Sequence, residues 1–320
     1  MIKPRAFNRS FWLRVLLLFI IALIPLVLFL ALTAPNSSDL QQIAQRTANE
    51  LDRLLTLREQ QVFTVAAFPS IRAYASSKGA ARAARAAVAL NELQSWSASD
   101  KNVREAFIVD KNGAVSLTTL DAEGIDFSAR RFVQDALAGQ LAASPVARDR
   151  GEFSNYYAAP ILDNSGDIAG ALVARVAAQE LWSVLPHGAN WYAVLSDENG
   201  VRLDDSGDPS RRLASFGGMD AVRATRILNE QTYGVELPQV RATQFNHAQQ
   251  LLVQGALDQL RPTDFNADTF AAQRLTSAPW TVLVIAPQST VPALAAQLVI
   301  PLIAALIVAL IGALVLQRLA

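Results

Sequence analysis

The sequence predicts an α+β fold in which two small modules, each built on an antiparallel sheet, follow a long N-terminal helix, with an apolar run near either end of the chain. Three observations predict it: apolar residues that recur every three or four positions between residues 40 and 65, a hairpin phrase that occurs twice at an interval of 87 residues, and the two uncharged runs themselves. The 320 residues are enough for about two domains.

Residues 11–32 and 293–316 are predicted to be transmembrane helices. Within them, 18 residues from Val15 to Leu32 and 23 from Leu294 to Leu316 carry no charge, and either length crosses a bilayer as a helix. The alternatives are a cleaved signal peptide for the first run and a buried core helix for the second.

Charge predicts the topology. Five basic residues lie at the outer ends of the two runs: Lys3, Arg5, Arg9, Arg14 and Arg318. We therefore expect residues 1–10 and 317–320 to be cytoplasmic and residues 33–290 to be extracytoplasmic, in a multi-pass protein of the cell membrane. All 28 acidic residues lie in the extracytoplasmic segment, residues 33–290. Because the whole chain has equal totals of acidic and basic residues, a chain-wide affinity for nucleic acid is excluded. Without cysteine, this segment needs a packed core.

Residues 36–99 are predicted to form a long helical stalk and a second helix. Apolar positions follow one face of the stalk at Leu40, Ile43, Thr47, Leu51, Leu54, Leu55, Val62 and Val65. Pro69 is expected to interrupt it before an alanine-rich helix from about residue 80 to 96. Because such a stripe packs on its own domain or on a partner's identical helix, we also expect a homodimer.

Residues 100–186 and 187–288 are predicted to be the two modules. Each begins with a hairpin that contains Asn-Gly, in Phe107 to Val115 and in Ala193 to Val201. Each ends with an apolar strand, from Ile168 to Val176 and from Thr281 to Ala286. The second half is expected to carry an insertion within residues 231–268.

With a long helix and two modules between two apolar runs, the chain resembles the double Cache domains of bacterial chemoreceptors, sensor histidine kinases and membrane diguanylate cyclases. The matching phrases are Phe107 to Val115, Phe127 to Gly139, Tyr157 to Val176 and Pro279 to Pro287. The resemblance implies two PAS-like (Cache) modules, the first membrane-distal and the second membrane-proximal. It also implies extracytoplasmic sensing of a small molecule in signal transduction, such as chemotaxis, with the ligand in the distal module. The cytoplasmic output domain is expected to be absent from this chain.

The resemblance also implies a binding site. Arg130 stands where an arginine holds the ligand carboxylate in the amino-acid-sensing subgroup, and Asp149 matches an acidic position. Phe132 and Arg175 depart from that subgroup, so a small carboxylate is expected rather than an amino acid. The predicted ligand-binding residues are Arg130, Arg131, Phe132, Arg148, Asp149, Tyr156, Tyr157 and Arg175. Only one of the two tyrosines can face the pocket, because side chains alternate along a strand.

No enzyme, cofactor or metal site is expected. Two histidines without cysteine cannot assemble a zinc site of the usual type, and the aspartates Asp204, Asp205 and Asp208 lie in a turn without calcium-loop spacing. The alternative function is a membrane-anchored structural or protein-interaction module without a small-molecule pocket. A cavity lined by Arg130, Arg131 and a tyrosine favours the sensor, whereas exposure of both arginines favours the alternative.

Overall fold

The computed structural model describes residues 36–120, 125–234 and 241–288, together with Ile307. The transmembrane helices and cytoplasmic ends expected from the sequence therefore lie outside the described residues. Among the helices that are described, none combines the length and apolar character needed to cross a membrane. Ser37–Ala286 form one compact unit.

Three helices open this unit: α1 (Ser37–Ala66), α2 (Pro69–Ala75) and α3 (Gly79–Ser99). Pro69 ends the long helix as expected, and it begins the short α2, which the pattern did not predict. Proline is tolerated there because the first residues of a helix have no intrahelical acceptor for their N–H groups. The buried face of α1 follows the predicted stripe, through Leu40, Ala44, Thr47, Ala48, Leu51, Leu55, Arg58, Val62, Val65 and Ala66.

The first sheet contains six described strands: β1 (Val103–Val109), β2 (Val115–Thr118), β3 (Ala142–Ala143), β4 (Ala147–Asp149), β5 (Glu152–Leu162) and β6 (Ile168–Ala177). Their order is β2-β1-β6-β5-β3, and β4 also pairs with β5. The pairings are antiparallel. With α4 (Arg131–Leu137) and α5 (Gln179–Trp182), these strands form what we call the first module.

The second sheet contains four described strands: β7 (Tyr192–Ser196), β8 (Arg202–Asp205), β9 (Ala267–Arg274) and β10 (Thr281–Pro287). Their order is β8-β7-β10-β9. With α6 (Ala221–Asn229) and α7 (Asn246–Gln254), they form the second module. In both sheets the last strand lies between the first strand and the strand that precedes the last. The two modules therefore share an architecture, and the second has an additional helix between its hairpin and its final strands.

The repeated sequence phrase is a repeated turn. Asp110 Oδ1 accepts hydrogen bonds from the backbone N–H groups of Asn112 and Ala114, at 2.8 and 3.1 Å. Asp197 Oδ1 accepts the equivalent bonds from Asn199 and Val201, at 3.0 and 2.9 Å. The glycine of each turn has a positive φ, 85° at residue 113 and 69° at residue 200, which is why glycine follows asparagine there.

Helix α1 contributes to the core beneath both sheets, packing on β5 and β6 of the first and on β9 of the second. The opposite face of the first sheet is covered by α4, and that of the second by α7. Polar contacts add to this packing at Asp52, whose carboxylate accepts hydrogen bonds from the backbone N–H and hydroxyl groups of Thr276 and Ser277 at 2.6 to 3.0 Å. Helix α1 therefore packs against both modules.

Candidate functional site

Arg130 lies at the start of α4, over the face of the first sheet that is turned away from α1. Its Nη2 donates to the two carboxylate oxygens of Asp149 at 3.1 and 3.2 Å. The Tyr156 hydroxyl donates to Asp149 Oδ2 at 2.8 Å. The guanidinium carbon lies 5.4 Å from the ring centroid of Phe127 and 5.7 Å from that of Tyr156, within range of cation–π attraction. A buried ion pair and two aromatic rings therefore position this arginine.

The local fold explains this placement. Arg130 has an extended backbone and its carbonyl accepts from Val133 and Gln134, so the chain enters α4 immediately after the arginine. Phe132, in the first turn, stacks on Tyr156 with centroids 5.1 Å apart and planes inclined by 11°. Burial and the neighbouring Asp149 charge raise the pKa of Tyr156, so its hydroxyl stays protonated and can donate.

Two nitrogens of Arg130 have no hydrogen-bond partner among the described residues. Only 4% of the residue is exposed, and both Nε and Nη1 are buried without an acceptor. A buried charged donor without an acceptor is costly, typically about 1 to 3 kcal/mol or more. An acceptor supplied by a ligand would remove that cost.

Arg130 also lines a cavity of about 140 Å³. The cavity lies between the start of α4, residues 143–145, the first hairpin turn of the second module and α6. Its lining includes Arg130, Arg131, Phe132, Glu198, Asn199 and Arg226. For scale, an apolar cavity of about 150 Å³ holds benzene, which has six heavy atoms. The space therefore suits a molecule of similar size.

The other predicted site residues are dispersed. Arg131 lines the cavity with a side chain that is 63% exposed. Tyr157 is buried on the opposite face of the sheet, against the core that contains α1, whereas Tyr156 faces Arg130. Arg148 is exposed, with its guanidinium 5.7 Å from the ring centroid of Phe153. Of the eight predicted residues, the structure brings Arg130, Arg131 and Phe132 to the cavity, with Asp149 and Tyr156 behind Arg130.

Arg175 belongs to a separate polar cluster at one end of the same sheet face. It is buried opposite Tyr156 in the strand register, but its Nη2 donates to Glu152 at 2.9 Å and its Nε to Ser154 at 3.1 Å. The same guanidinium lies 3.7 Å from the buried carboxylate of Glu105. These contacts hold it away from the cavity lining.

A second buried polar cluster, which the sequence did not suggest as a site, adjoins the cavity from the second module. The Tyr233 hydroxyl donates to Asp197 Oδ2 and accepts from Asn199 Nδ2 at 3.0 Å. Arg226 donates to Asn199 Oδ1 at 2.7 Å. Burial and the adjacent Glu198 charge raise the pKa of Asp197 to about 7. In the sequence, this cluster was marked only by the repeated Asp-x-Asn-Gly phrase that contains Asp197 and Asn199.

The raised pKa of Asp197 predicts a pH-dependent stability. Because the folded value of about 7 exceeds the unfolded value, the stabilising effect of protonation is complete below about pH 4 and is lost as pH rises through about 7. The Asp197→Asn variant lacks this titration. We expect its unfolding temperature, relative to the wild type, to be higher at about pH 8 than at about pH 5. A difference that does not change with pH in thermal denaturation experiments would contradict the assignment.

The aspartates near residue 205 serve the fold. Asp204 accepts from Arg212 Nε at 2.7 Å, Asp205 accepts from the backbone N–H groups of Gly207 and Asp208, and Asp208 accepts from Ser210. Within the described ranges, no group of three or more histidine, cysteine, aspartate or glutamate side chains is arranged to hold a metal ion.

Solved structures with a similar fold include a histidine kinase sensor domain and the ligand-binding domains of two chemoreceptors. The sensor domain of the V. cholerae histidine kinase DctB aligns with a TM-score of 0.60 at 15% identity, covering 78% of this chain and 96% of that one. The ligand-binding domain of the Pseudomonas aeruginosa PAO1 amino acid chemoreceptor PctC, in complex with GABA, has a TM-score of 0.50 at 17% identity, covering 78% and 99%. That of the Pseudomonas fluorescens chemoreceptor CtaA, in complex with L-valine, has a TM-score of 0.50 at 14% identity, covering 79% and 98%.

The chain therefore has the fold of these histidine kinase and chemoreceptor sensor domains. This confirms, for the fold, the double Cache resemblance and the α+β class with a long N-terminal helix. Neither a protein-family profile nor a curated protein matches the sequence.

Proposed function

We propose that the chain is the extracytoplasmic sensor region of a membrane receptor and that it binds a small carboxylate through Arg130. The main support for this proposal is the buried guanidinium of Arg130, which lines a cavity and has two nitrogens without a partner among the described residues. A guanidinium is suited to a carboxylate because its planar N–H groups form charge-assisted hydrogen bonds with the carboxylate oxygens.

The fold supports the same proposal. Structures with this fold are described as sensor or ligand-binding domains, and two were solved with GABA or L-valine bound. In this proposal the two apolar runs anchor the domain, the first module is membrane-distal and the second is membrane-proximal. Ligand binding then signals only if the ligand has different affinities for two arrangements of the receptor.

A homodimer is part of this proposal. Leu57 and Phe63 are large apolar residues of α1 that are 51% and 45% exposed in the single chain, so part of this helix is open to a partner. Two copies anchored in one membrane would meet through such helices, and the output would come from a cytoplasmic domain or a separate protein.

The structural alternative is less well supported. A module that binds another protein without a pocket does not require a buried arginine beside a cavity, and Arg130 is nearly excluded from solvent. Arg131 is exposed, as that alternative expects, but it lies at the rim of the same cavity. The cavity is lined by both arginines but by no tyrosine, since Tyr156 lies behind Arg130. The two arginines therefore support a ligand over a purely structural role.

The test is a thermal-shift screen of the purified chain against small carboxylic acids and the primary amide of each acid. At a ligand concentration of about 100 times Kd, binding stabilises the folded state by about 2.7 kcal/mol. We expect at least one acid to raise the unfolding temperature by several degrees while its amide does not. Equal shifts from acid and amide, or no shift from any acid in the panel, would contradict the proposal.

A further inference from the structure

The cavity at Arg130 lies where the two modules meet. Arg131 Nη1 of α4 lies 3.9 Å from Glu198 Oε1 of the second module. Nearby, the backbone N–H of Arg148 in β4 donates to the carbonyl oxygen of Tyr233 at 2.9 Å. A Cβ on Gly234 would lie 2.1 Å from the Arg148 carbonyl oxygen, so the close approach of these segments requires glycine. A molecule in the cavity therefore contacts both modules.

The charges around the cavity are balanced. Three basic residues and three acidic residues line it: Arg130, Arg131, Arg226, Asp135, Glu198 and Glu230. A site for an anion alone would be expected to have an excess of positive charge. The balance instead suits a ligand that carries hydrogen-bond donors as well as a carboxylate.

Two of these side chains have unused hydrogen-bonding atoms. Arg130 has Nε and Nη1 without acceptors, and Glu198 has a buried Oε2 without a donor among the described residues. They come from different modules, and one offers donors while the other offers an acceptor. Arg226, by contrast, donates to Asn199 at 2.7 Å, and Arg131 lies 3.7 Å from Asp135.

We infer that the ligand bridges the two modules, with its carboxylate at Arg130 and a hydrogen-bond donor of the same molecule, a hydroxyl or ammonium group, at Glu198 Oε2. This inference rests on the proposed carboxylate site. It makes the second module part of that site, and the ligand then contacts the hairpin turn at Glu198 and Asn199 directly.

The experiment compares three acids with the same carbon skeleton by calorimetric titration of the full chain: propionate, lactate and alanine. Propionate has only the carboxylate, lactate adds a hydroxyl and alanine adds an ammonium group. We expect lactate or alanine to bind at least 10-fold more tightly than propionate. Glu198→Ala should remove that advantage, whereas propionate, which has no donor for Glu198, should bind no more weakly than it does to the wild type. A factor of 10 corresponds to one hydrogen bond of about 1.4 kcal/mol.

Glu198→Gln identifies the donor, because glutamine keeps an acceptor oxygen but loses the charge. If the higher affinity over propionate is retained in this variant, the ligand's donor is a hydroxyl. If it is lost, the donor is an ammonium group. Asp167→Asn, which removes an exposed negative charge of the first module outside the cavity lining, is the matched control and should retain the preference.

The outcomes separate this inference from the proposed function. If the three acids bind equally, or if Glu198→Ala weakens all of them alike, the ligand does not bridge the two modules. If binding still depends on Arg130 in that case, the proposed carboxylate site is supported. If Arg130→Lys weakens none of the acids, the carboxylate site itself is wrong, and the bridge with it.

Discussion

Replacing Arg130 with lysine is expected to weaken carboxylate binding by about 10- to 100-fold, the largest effect on ligand affinity that the structure predicts. Lysine keeps a cation near Asp149, but its ammonium group cannot bond Asp149 and a ligand with the planar geometry of a guanidinium. A lost charge-assisted hydrogen bond costs about 1.5 to 3 kcal/mol, which gives this range of affinities. Calorimetric titration with the best acid from the screen measures the change.

Arg131→Ala is the matched control for that experiment. The neighbouring side chain is 63% exposed and makes only long ion-pair contacts, 3.7 and 3.9 Å, to Asp135 and Glu198. Exposed pairs of this kind contribute about 0 to 1 kcal/mol. The affinity should therefore fall by less than about fivefold. A larger loss for Arg131→Ala than for Arg130→Lys would show that the exposed arginine, and not the buried one, holds the carboxylate.

Replacing Arg58 with alanine is expected to destabilise the folded state by about 3 kcal/mol, the largest stability effect that we predict. Arg58 is buried on α1, forms ion pairs with Asp100 after α3 and Glu180 in α5, and donates from Nε to Glu180 at 2.8 Å. Removing it leaves both carboxylates without this cation. For a unit of this size, thermal denaturation should show a decrease of roughly 6 to 12 °C.

Two further variants define the cause of that loss. Arg53→Ala removes an exposed arginine from the same helix and should change the free energy of unfolding by no more than about 0.5 kcal/mol. Arg58→Met keeps a long apolar side chain but no charge. If Met restores wild-type stability, the role of Arg58 is packing, and the ion pairs contribute little.

Much of the fold was predictable because its signals are local. The stripe of α1, the interruption at Pro69 and the two Asn-Gly hairpins each depend on residues close in sequence, and all are present in the structure. Strand β9 was not predicted, since its sequence, ADTFAAQR, lacks a continuous alternation. Arg58 stands between Leu55 and Val62 in the apolar stripe, and its charge there was a sign of a buried partner that periodicity alone could not identify.

The site was less predictable because it depends on contacts between distant segments. The resemblance singled out Arg130, and alternation required Tyr156 and Tyr157 to face opposite sides of the sheet. Glu198 was visible only as part of a turn motif, since its position beside α4 depends on how the modules pack. Arg175 was included in the site through the resemblance, as a position that departs from the amino-acid-sensing subgroup, but in the structure the carboxylates of Glu105 and Glu152 pair with it.

The central claim is that Arg130 holds the carboxylate of a small ligand. The most direct measurement is a crystal structure of the protein with the acid that stabilises it most. We predict that a carboxylate oxygen lies about 2.7 to 3.2 Å from Arg130 Nε or Nη1, in the cavity between the modules. Electron density for the acid at any other position, with both nitrogens of Arg130 still lacking an acceptor, would contradict the claim.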